Sequence, residues 1–340
     1  MKTKRILIGT ALLALSAAPA SAAPFSAIYA FGDSLSDAGN AFIATDGKTP
    51  PAPPYALVNG FGEFGNGPVW VQNLAAELGL GPLLPSLAGG TDFAIGGAQT
   101  GAFGAYTGSP GDLLPAPGNP TVNSQLGMFT ADVTQPAANA LYTLSIGSND
   151  LLTIFAQDAG NLAQATSDAT AVLGNIGTFI GDLAADGAHT FAVLNVPDLG
   201  LSPRVQALGA AVGAEVSAFT AAFDTALQTT LAGLAQNDGL DLHLIDTFAL
   251  TDQAVADPAR FGLTDVRDPC LPPGTLTPCA TPNQYLFWDD VHPTETGQRV
   301  IANIADAALP EPSALALLVA ALGFFGLITS RRSAASSQRL

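Results

Sequence analysis

The feature that most constrains this chain is an alternation. Short, mostly apolar runs, each halted by Gly, Pro or Asp, take turns with longer Ala-rich stretches. Ala27-Ile28-Tyr29-Ala30-Phe31 ends at Gly32, Asp92–Ile95 at Gly96-Gly97, Leu141–Ile146 at Gly147, Thr190–Val196 at Pro197, and Leu242–Ile245 at Asp246. Continuous apolar runs of this length read as strands buried on both faces. The stretches between them carry Leu, Val and Phe at helical spacing: Val69–Leu78 behind Pro68, Ala163–Asp186, Val205–Ala235 and Thr294–Ala308. The alternation predicts an α/β fold, a three-layer α/β/α sandwich around a mostly parallel five-stranded sheet. Such sheets place their sites just beyond the carboxyl ends of the strands. Here that rule points to Ser34, Gly97, Asn149 and Asp198.

Composition narrows the function. Hydrophobic residues make up 48% of 340, enough for a sizeable core, which excludes overall disorder. The 28 acidic residues outnumber the 11 basic ones, for a net charge of -17. Such a surface repels phosphate backbones, so nucleic acid is excluded as a partner. No internal repeat or low-complexity linker interrupts the body from Pro24 to Leu309, which reads as one domain over 24–309. Two stretches dense in Pro and Gly, Thr45–Gly67 and Ala102–Pro120, fit either substrate-binding loops or plain surface excursions.

The two ends read as sorting segments. Lys2, Lys4 and Arg5 precede the apolar run Ile6–Ala18, and Ala20-Ser21-Ala22 supplies small residues for cleavage. Residues 1–22 therefore read as a secretory signal peptide. At the other end Pro310-Glu311-Pro312 precedes the apolar run Ala314–Ile328 and then Arg331-Arg332. As a helix that run rises about 22 Å, short of the roughly 30 Å hydrocarbon core unless its neighbours join it. The two arginines would hold its end on the cytoplasmic side. This tripartite pattern over 310–340 resembles the PEP-CTERM sorting signal of Gram-negative bacteria. The resemblance implies sorting machinery as a partner and delivery to the cell surface, the extracellular matrix or the medium. The two cysteines, Cys270 and Cys279, agree with export, where a disulfide is the default. With no further ligands close to them in sequence, they suggest no metal site.

Hydrolysis by a serine needs a nearby base, a group that orients the base, and donors for the oxyanion. Of three histidines, His189 precedes a strand and His243 lies inside one, so both read as structural. His292, in Trp288-Asp289-Asp290-Val291-His292-Pro293, is the best base by elimination. Ser34 follows a strand end and opens an expected helix, which would expose its hydroxyl and backbone N–H. By itself Gly32-Asp33-Ser34 fits an ordinary helix cap as well as a nucleophile.

Taken together, the motifs resemble the GDSL esterase/lipase family, the SGNH hydrolases, across nearly the whole body. The blocks are Phe31-Gly32-Asp33-Ser34-Leu35-Ser36-Asp37-Ala38-Gly39-Asn40, Phe93-Ala94-Ile95-Gly96-Gly97-Ala98, Gly147-Ser148-Asn149-Asp150 and Asp289-Asp290-Val291-His292-Pro293-Thr294, in the family's order. Asn66-Gly67-Pro68-Val69-Trp70 and Val196-Pro197-Asp198-Leu199-Gly200 are similar to flanking blocks. The resemblance implies a flavodoxin-like sheet and a carboxylic ester hydrolase with no cofactor. Ser34 would be the nucleophile, His292 the base and Asp289 its orienting carboxylate. The backbone N–H groups of Ser34 and Gly97 and the Asn149 amide would form the oxyanion hole. Gly96 and Asp290 stand as alternatives to Gly97 and Asp289. One departure is Asp92, where many members carry Asn. The substrate would be a short acyl ester, a lipid or an acetylated polysaccharide. A polysaccharide O-deacetylase, an acyltransferase and an inactive matrix protein are the competing readings.

Overall fold

The computed structural model describes residues 25–101 and 124–309. The two terminal segments expected to act in sorting, 1–22 and 310–340, and the Ala102–Pro120 stretch lie outside the described residues. In chain order the elements are β1 (Ala27–Gly32), α1 (Asn40–Ala44), β2 (Leu57–Val58), β3 (Phe61–Gly62), α2 (Trp70–Glu77), α3 (Gln125–Asp132), β4 (Ala140–Ser145), α4 (Ser148–Gln157) and α5 (Leu162–Ala185). Then follow β5 (Thr190–Leu194), α6 (Pro203–Gln206), α7 (Ala210–Asp238), β6 (Asp241–Ile245), α8 (Thr247–Ala256), β7 (Asp265–Pro269), β8 (Tyr285–Phe287) and α9 (Glu295–Ala308).

The central sheet runs β1-β4-β5-β6, with every neighbouring pair parallel. Successive side chains point to opposite faces, and both faces are apolar. Tyr29, Phe31, Tyr142, Leu144, Phe191 and Val193 join one core with residues of α3, α4, α5 and α7. Ile28, Ala30, Leu141, Ala192 and Leu194 join a second core with α2 and α9. Helices therefore cover both sides, which is why the strands read as unbroken apolar runs. Phe31 anchors the first core: Phe93 stacks on it at 5.4 Å, and Phe129 and Phe179 meet it edge-on at 5.5 and 5.1 Å.

The expected five-stranded sheet is corrected to four regular strands. The segment around Asp92–Ile95 runs beside β1 but forms only an isolated parallel bridge, Ala30 to Asp92. Its hydrogen bonds are Ala30 N–H to Thr91 O, Phe93 N–H to Ala30 O and Ile95 N–H to Gly32 O. Asp92 Oδ1 takes the Ala94 N–H at 3.0 Å. Such local side-chain bonding competes with a ladder. The expected Val205–Ala235 helix is also corrected, because Gly209, at φ 109°, separates α6 from α7. The hairpin β2–β3, the parallel pair β7–β8 and the helices α4 and α8 were not legible in the sequence pattern.

This topology positions the site. The 91–95 segment lies on one side of β1 and β4 on the other. The chain thus departs from β1 in two directions, and a crevice opens beyond its carboxyl end.

Candidate active site

Gly32 ends β1 at φ 131°, and a Cβ there would fall 1.9 Å from the Ser145 carbonyl oxygen. Only glycine fits that approach. The Gln125 side chain binds the Gly32 N–H at 2.8 Å and its carbonyl at 2.6 Å, clamping the strand end. The chain then turns: the N–H groups of Ser36 and Asp37 donate to Asp33 O. Ser34 sits in this turn, 8% exposed. The expectation that Ser34 opens a helix is corrected, since α1 begins only at Asn40. Asp37 explains the separation. Its carboxylate accepts the N–H groups of Gly39, Asn40 and Ala41 at 2.8, 2.6 and 3.1 Å, which starts α1 there.

The same Asp37 carboxylate accepts the Gly96 N–H at 2.7 Å, tying the glycine pair to the turn that holds Ser34. Gly96 has thereby spent its donor. Gly97, at φ 83°, has open space where a Cβ would stand. Among the described residues the N–H groups of Ser34 and Gly97 meet no acceptor. Asn149 lies in the first turn of α4, and its Nδ2 donates to Ala98 O at 3.0 Å. A second N–H on that amide is left over.

His292 completes the arrangement from the loop before α9. Its Nε2 is 2.8 Å from Ser34 Oγ, and its Nδ1 is 2.7 Å from Asp289 Oδ2. Asp289 Oδ1 accepts the N–H groups of Val291 and His292 at 2.9 and 2.8 Å. Asp290 turns away and pairs with Arg204 at 2.9 and 3.0 Å. Of the two neighbouring acids, Asp289 is the one against the imidazole. His189 precedes β5, at the amino end of the parallel strands, and His243 sits within β6, 3.1 Å from Asp241. Asp198 lines the same crevice, where its carboxylate accepts from Gly200 N–H and Ser217 Oγ.

Sequence reasoning missed Tyr55. Its hydroxyl donates to Asp289 Oδ2 at 2.6 Å across 234 residues of sequence. Its ring meets Trp288 edge-on at 6.1 Å, and Trp288 packs with Leu271 and Cys270. A disulfide joins Cys270 to Cys279 in that cluster. The Pro/Gly-rich Thr45–Gly67 stretch thus reaches the site, and Phe64 from it lies 5.3 Å from the His292 ring. Nothing in a lone Tyr after a run of prolines signals such a contact.

Burial opposes charge on His292, but the Asp289 carboxylate outweighs it and holds the imidazole pKa above its usual value. Burial likewise opposes charge on Asp289, yet His292, Tyr55 and backbone donors keep it well below the usual carboxylate range. Asp33, wholly buried beside Ser34, is pushed up to about 7 by burial, and Asp37 to about 6. Asp92 and Glu63 are pushed well above the ordinary range, first by burial and then by the charge of Asp37. Asp92 accepts the Ala38 N–H on Oδ2 at 2.6 Å and the Ala94 N–H on Oδ1 at 3.0 Å, two acceptors where an asparagine amide offers one oxygen.

Ser34, Gly97, Asn149 and His292 line one cavity of about 290 Å³. Among the described residues no group of three or more His, Cys, Asp or Glu is placed to hold a metal ion. No helix among them is long and apolar enough to cross a membrane.

Comparison with known proteins bears on this geometry. Residues 28–305 match the model of the GDSL-like Lipase/Acylhydrolase family. The chain is 30% identical over 335 residues to an uncharacterized protein of the trpE-trpG intergenic region of Pseudomonas putida, covering 92% of this chain. It spans about half of that protein, 53% of its length. It is 29% identical over 308 residues to a GDSL esterase/lipase of Arabidopsis thaliana, covering 82% of this chain and 87% of the other. It is 28% identical over 357 residues to a phosphatidylcholine-sterol acyltransferase of Aeromonas hydrophila, covering 91% and 94%.

Proposed function

The chain belongs to the GDSL-like lipase/acylhydrolase family, and on that premise we propose that it is an exported serine esterase that cleaves carboxylic esters through an acyl-enzyme on Ser34. The observation that carries the reading is the unbroken series Ser34 Oγ, His292 Nε2, His292 Nδ1, Asp289 Oδ2, with contacts of 2.8 and 2.7 Å, whose Ser34 and His292 line one cavity.

In this reading Ser34 Oγ attacks the ester carbonyl carbon while its proton passes to His292 Nε2. The carbonyl oxygen becomes an oxyanion and accepts the N–H groups of Ser34 and Gly97 and the spare amide N–H of Asn149. Such a donor contributes about 3 kcal/mol to the transition state. His292 then returns the proton to the departing alcohol oxygen. Water attacks the acyl-enzyme by the reverse route and frees the acid and Ser34. Asp289 keeps the Nδ1 proton in place, so that Nε2 is the basic nitrogen. The acyl transferase among the relatives supports a second reading. There an acceptor alcohol takes the place of water at the same acyl-enzyme.

The ends carry the rest of the proposal. Residues 1–22 direct export, 24–309 form the hydrolase domain, and 310–340 sort it to the outer surface of a Gram-negative cell. Mass spectrometry of the surface-shed protein tests this. The expected mature chain lacks both ends, and a shed chain still carrying Leu309–Leu340 would overturn processing at Pro310-Glu311-Pro312.

Release of p-nitrophenol from p-nitrophenyl esters over a series of acyl lengths tests the chemistry. Turnover is expected on at least part of the series. No turnover at any length, together with no labelling by a serine-reactive phosphonate, would sink the esterase reading. Acetate release from acetylated polysaccharide with poor activity on longer esters would replace it by a deacetylase.

A further inference from the structure

The cavity that begins at Ser34 and His292 does not stop there. It continues past Pro197 and Ser202 along the carboxyl edge of the sheet and reaches Leu250 and Ala254 of α8 and Val300 of α9. Leu250 and Ala254 are four residues apart and so share a helix face, as do Thr296 and Val300 on α9. The hydroxyls in this arm are already spent. Thr247 Oγ1 donates to Asn195 O at 2.6 Å, Thr251 Oγ1 to Thr247 O at 2.8 Å, and Thr296 Oγ1 to Asn283 O at 2.9 Å. An arm with spent hydroxyls and aliphatic walls is a poor host for ordered water. Native interiors rarely keep such space open. The whole cavity, its Ser34 and His292 end included, holds about 290 Å³, just under the about 300–1,000 Å³ usual for ligand pockets, which leaves room for one chain rather than several.

We propose that the arm between α8 and α9 holds the acyl chain of the substrate ester, a chain of medium length whose limit is set by Leu250 and Val300. The proposal rests on Ser34 as the nucleophile. It assigns the acyl side for a kinetic reason. The alcohol must leave before water can enter, so it suits the side of the cavity where the lining residue Arg204, paired with Asp290 near His292, is exposed. The acyl chain stays through both half-reactions, and the arm, walled by buried Ala254, Leu263 and Leu286, suits the group that stays.

The test compares two ester series on the full-length protein, p-nitrophenyl esters from acetate to decanoate and acetate esters of ethanol to decanol. Each methylene that enters the arm should raise kcat/KM about fourfold, equivalent to about 0.8 kcal/mol per buried CH₂. Val300 is half-buried, so Val300→Phe fills open space rather than displacing packed atoms. It should lower the octanoate-to-acetate ratio of kcat/KM at least tenfold. Leu250→Ala should move the preferred acyl length upward by one or two carbons. Neither variant should alter the slope in the alcohol series. Unchanged acyl ratios in both variants would overturn the proposal, and so would shifts confined to the alcohol series. Calorimetric binding of octanoate to Ser34→Ala, weakened at least tenfold by adding Val300→Phe, reads the arm without turnover. An inactive native protein that still binds octanoate in this way would refute the esterase reading and not the arm. Octanoate binding that ignores Val300→Phe would refute the arm.

Discussion

On the wall that carries His292, the buried Asp289 carboxylate meets an imidazole, a phenol and two backbone N–H groups, and it stays ionised. On the wall that carries Ser34, the carboxyl groups of Asp33, Asp37, Asp92 and Glu63 are at least as deeply buried. They meet backbone N–H groups, one amide and one another, the charge of His292 offsets burial only in part at Asp33, and burial pushes all four upward. The difference is in the partners. A carboxylate keeps its charge in the interior when a cation-forming group stands beside it. Without one, it serves as a set of acceptors for the backbone, as Asp37 does for four N–H groups. The wall with His292 is thus electrostatic, and the wall with Ser34 is held by backbone geometry.

The sharpest way to break this contrast is to remove the groups that meet across it. Ser34→Ala and His292→Ala should each lower kcat by about 10⁴-fold or more, with circular dichroism unchanged. Asp289→Asn should cost about 10³- to 10⁴-fold, because an amide cannot hold the Nδ1 proton in the same way. A loss of less than tenfold in Asp289→Asn would mean that the carboxylate is not what orients His292.

Tyr55→Phe is expected to cost about 13- to 160-fold in kcat/KM, the equivalent of the about 1.5–3 kcal/mol of a hydrogen bond to a charged group. The direction of its pH effect is specific. Without the phenol, Asp289 holds the imidazolium more strongly. The acid limb of the kcat/KM profile should therefore move to higher pH. In the native protein that limb should already lie above the ordinary histidine value of about 6.5, because His292 must be neutral to act and Asp289 raises its pKa. A native limb below that value, or a limb unmoved in Tyr55→Phe, contradicts the account.

The smallest expected effect lies on the other wall. Asp33 and Asp37 sit near 7 and 6 in the folded protein, against about 3.9 unfolded. The folded state holds their protons where the unfolded state has lost them. That stability is complete below about pH 4 and is lost as pH rises through 6 to 7. Thermal unfolding midpoints should therefore fall between pH 5 and pH 8. Asp33→Asn, which removes one titrating group, should flatten the fall by about 2–4 °C, the shift expected for roughly 1 kcal/mol. An equally steep fall in the variant would show that Asp33 is ionised in the native protein at pH 5.

The contrast also marks what could be read from the sequence. Strand-forming runs such as Ala27–Phe31 and Leu141–Ile146 were legible because burial on both faces leaves almost no polar residue to confuse the pattern. The blocks around Ser34, Asn149 and His292 were legible because each follows a strand or precedes a helix, and Gly97 only because its block resembles the family's. The edge segment at Asp92 was misjudged, since its apolar residues look like a strand while its carboxylate bonds locally. Tyr55 was invisible because its partner lies 234 residues away and loop prolines carry no period. Gly209 was read through because the helical pattern resumes on either side of it.

The most direct measurement is the site of covalent capture. Native protein incubated with a p-nitrophenyl phosphonate should gain the mass of one adduct, and peptide mapping should place it on Ser34. Ser34→Ala should gain none. An adduct on another residue, or equal labelling of Ser34→Ala, would contradict the claim that the turn after β1 presents the nucleophile.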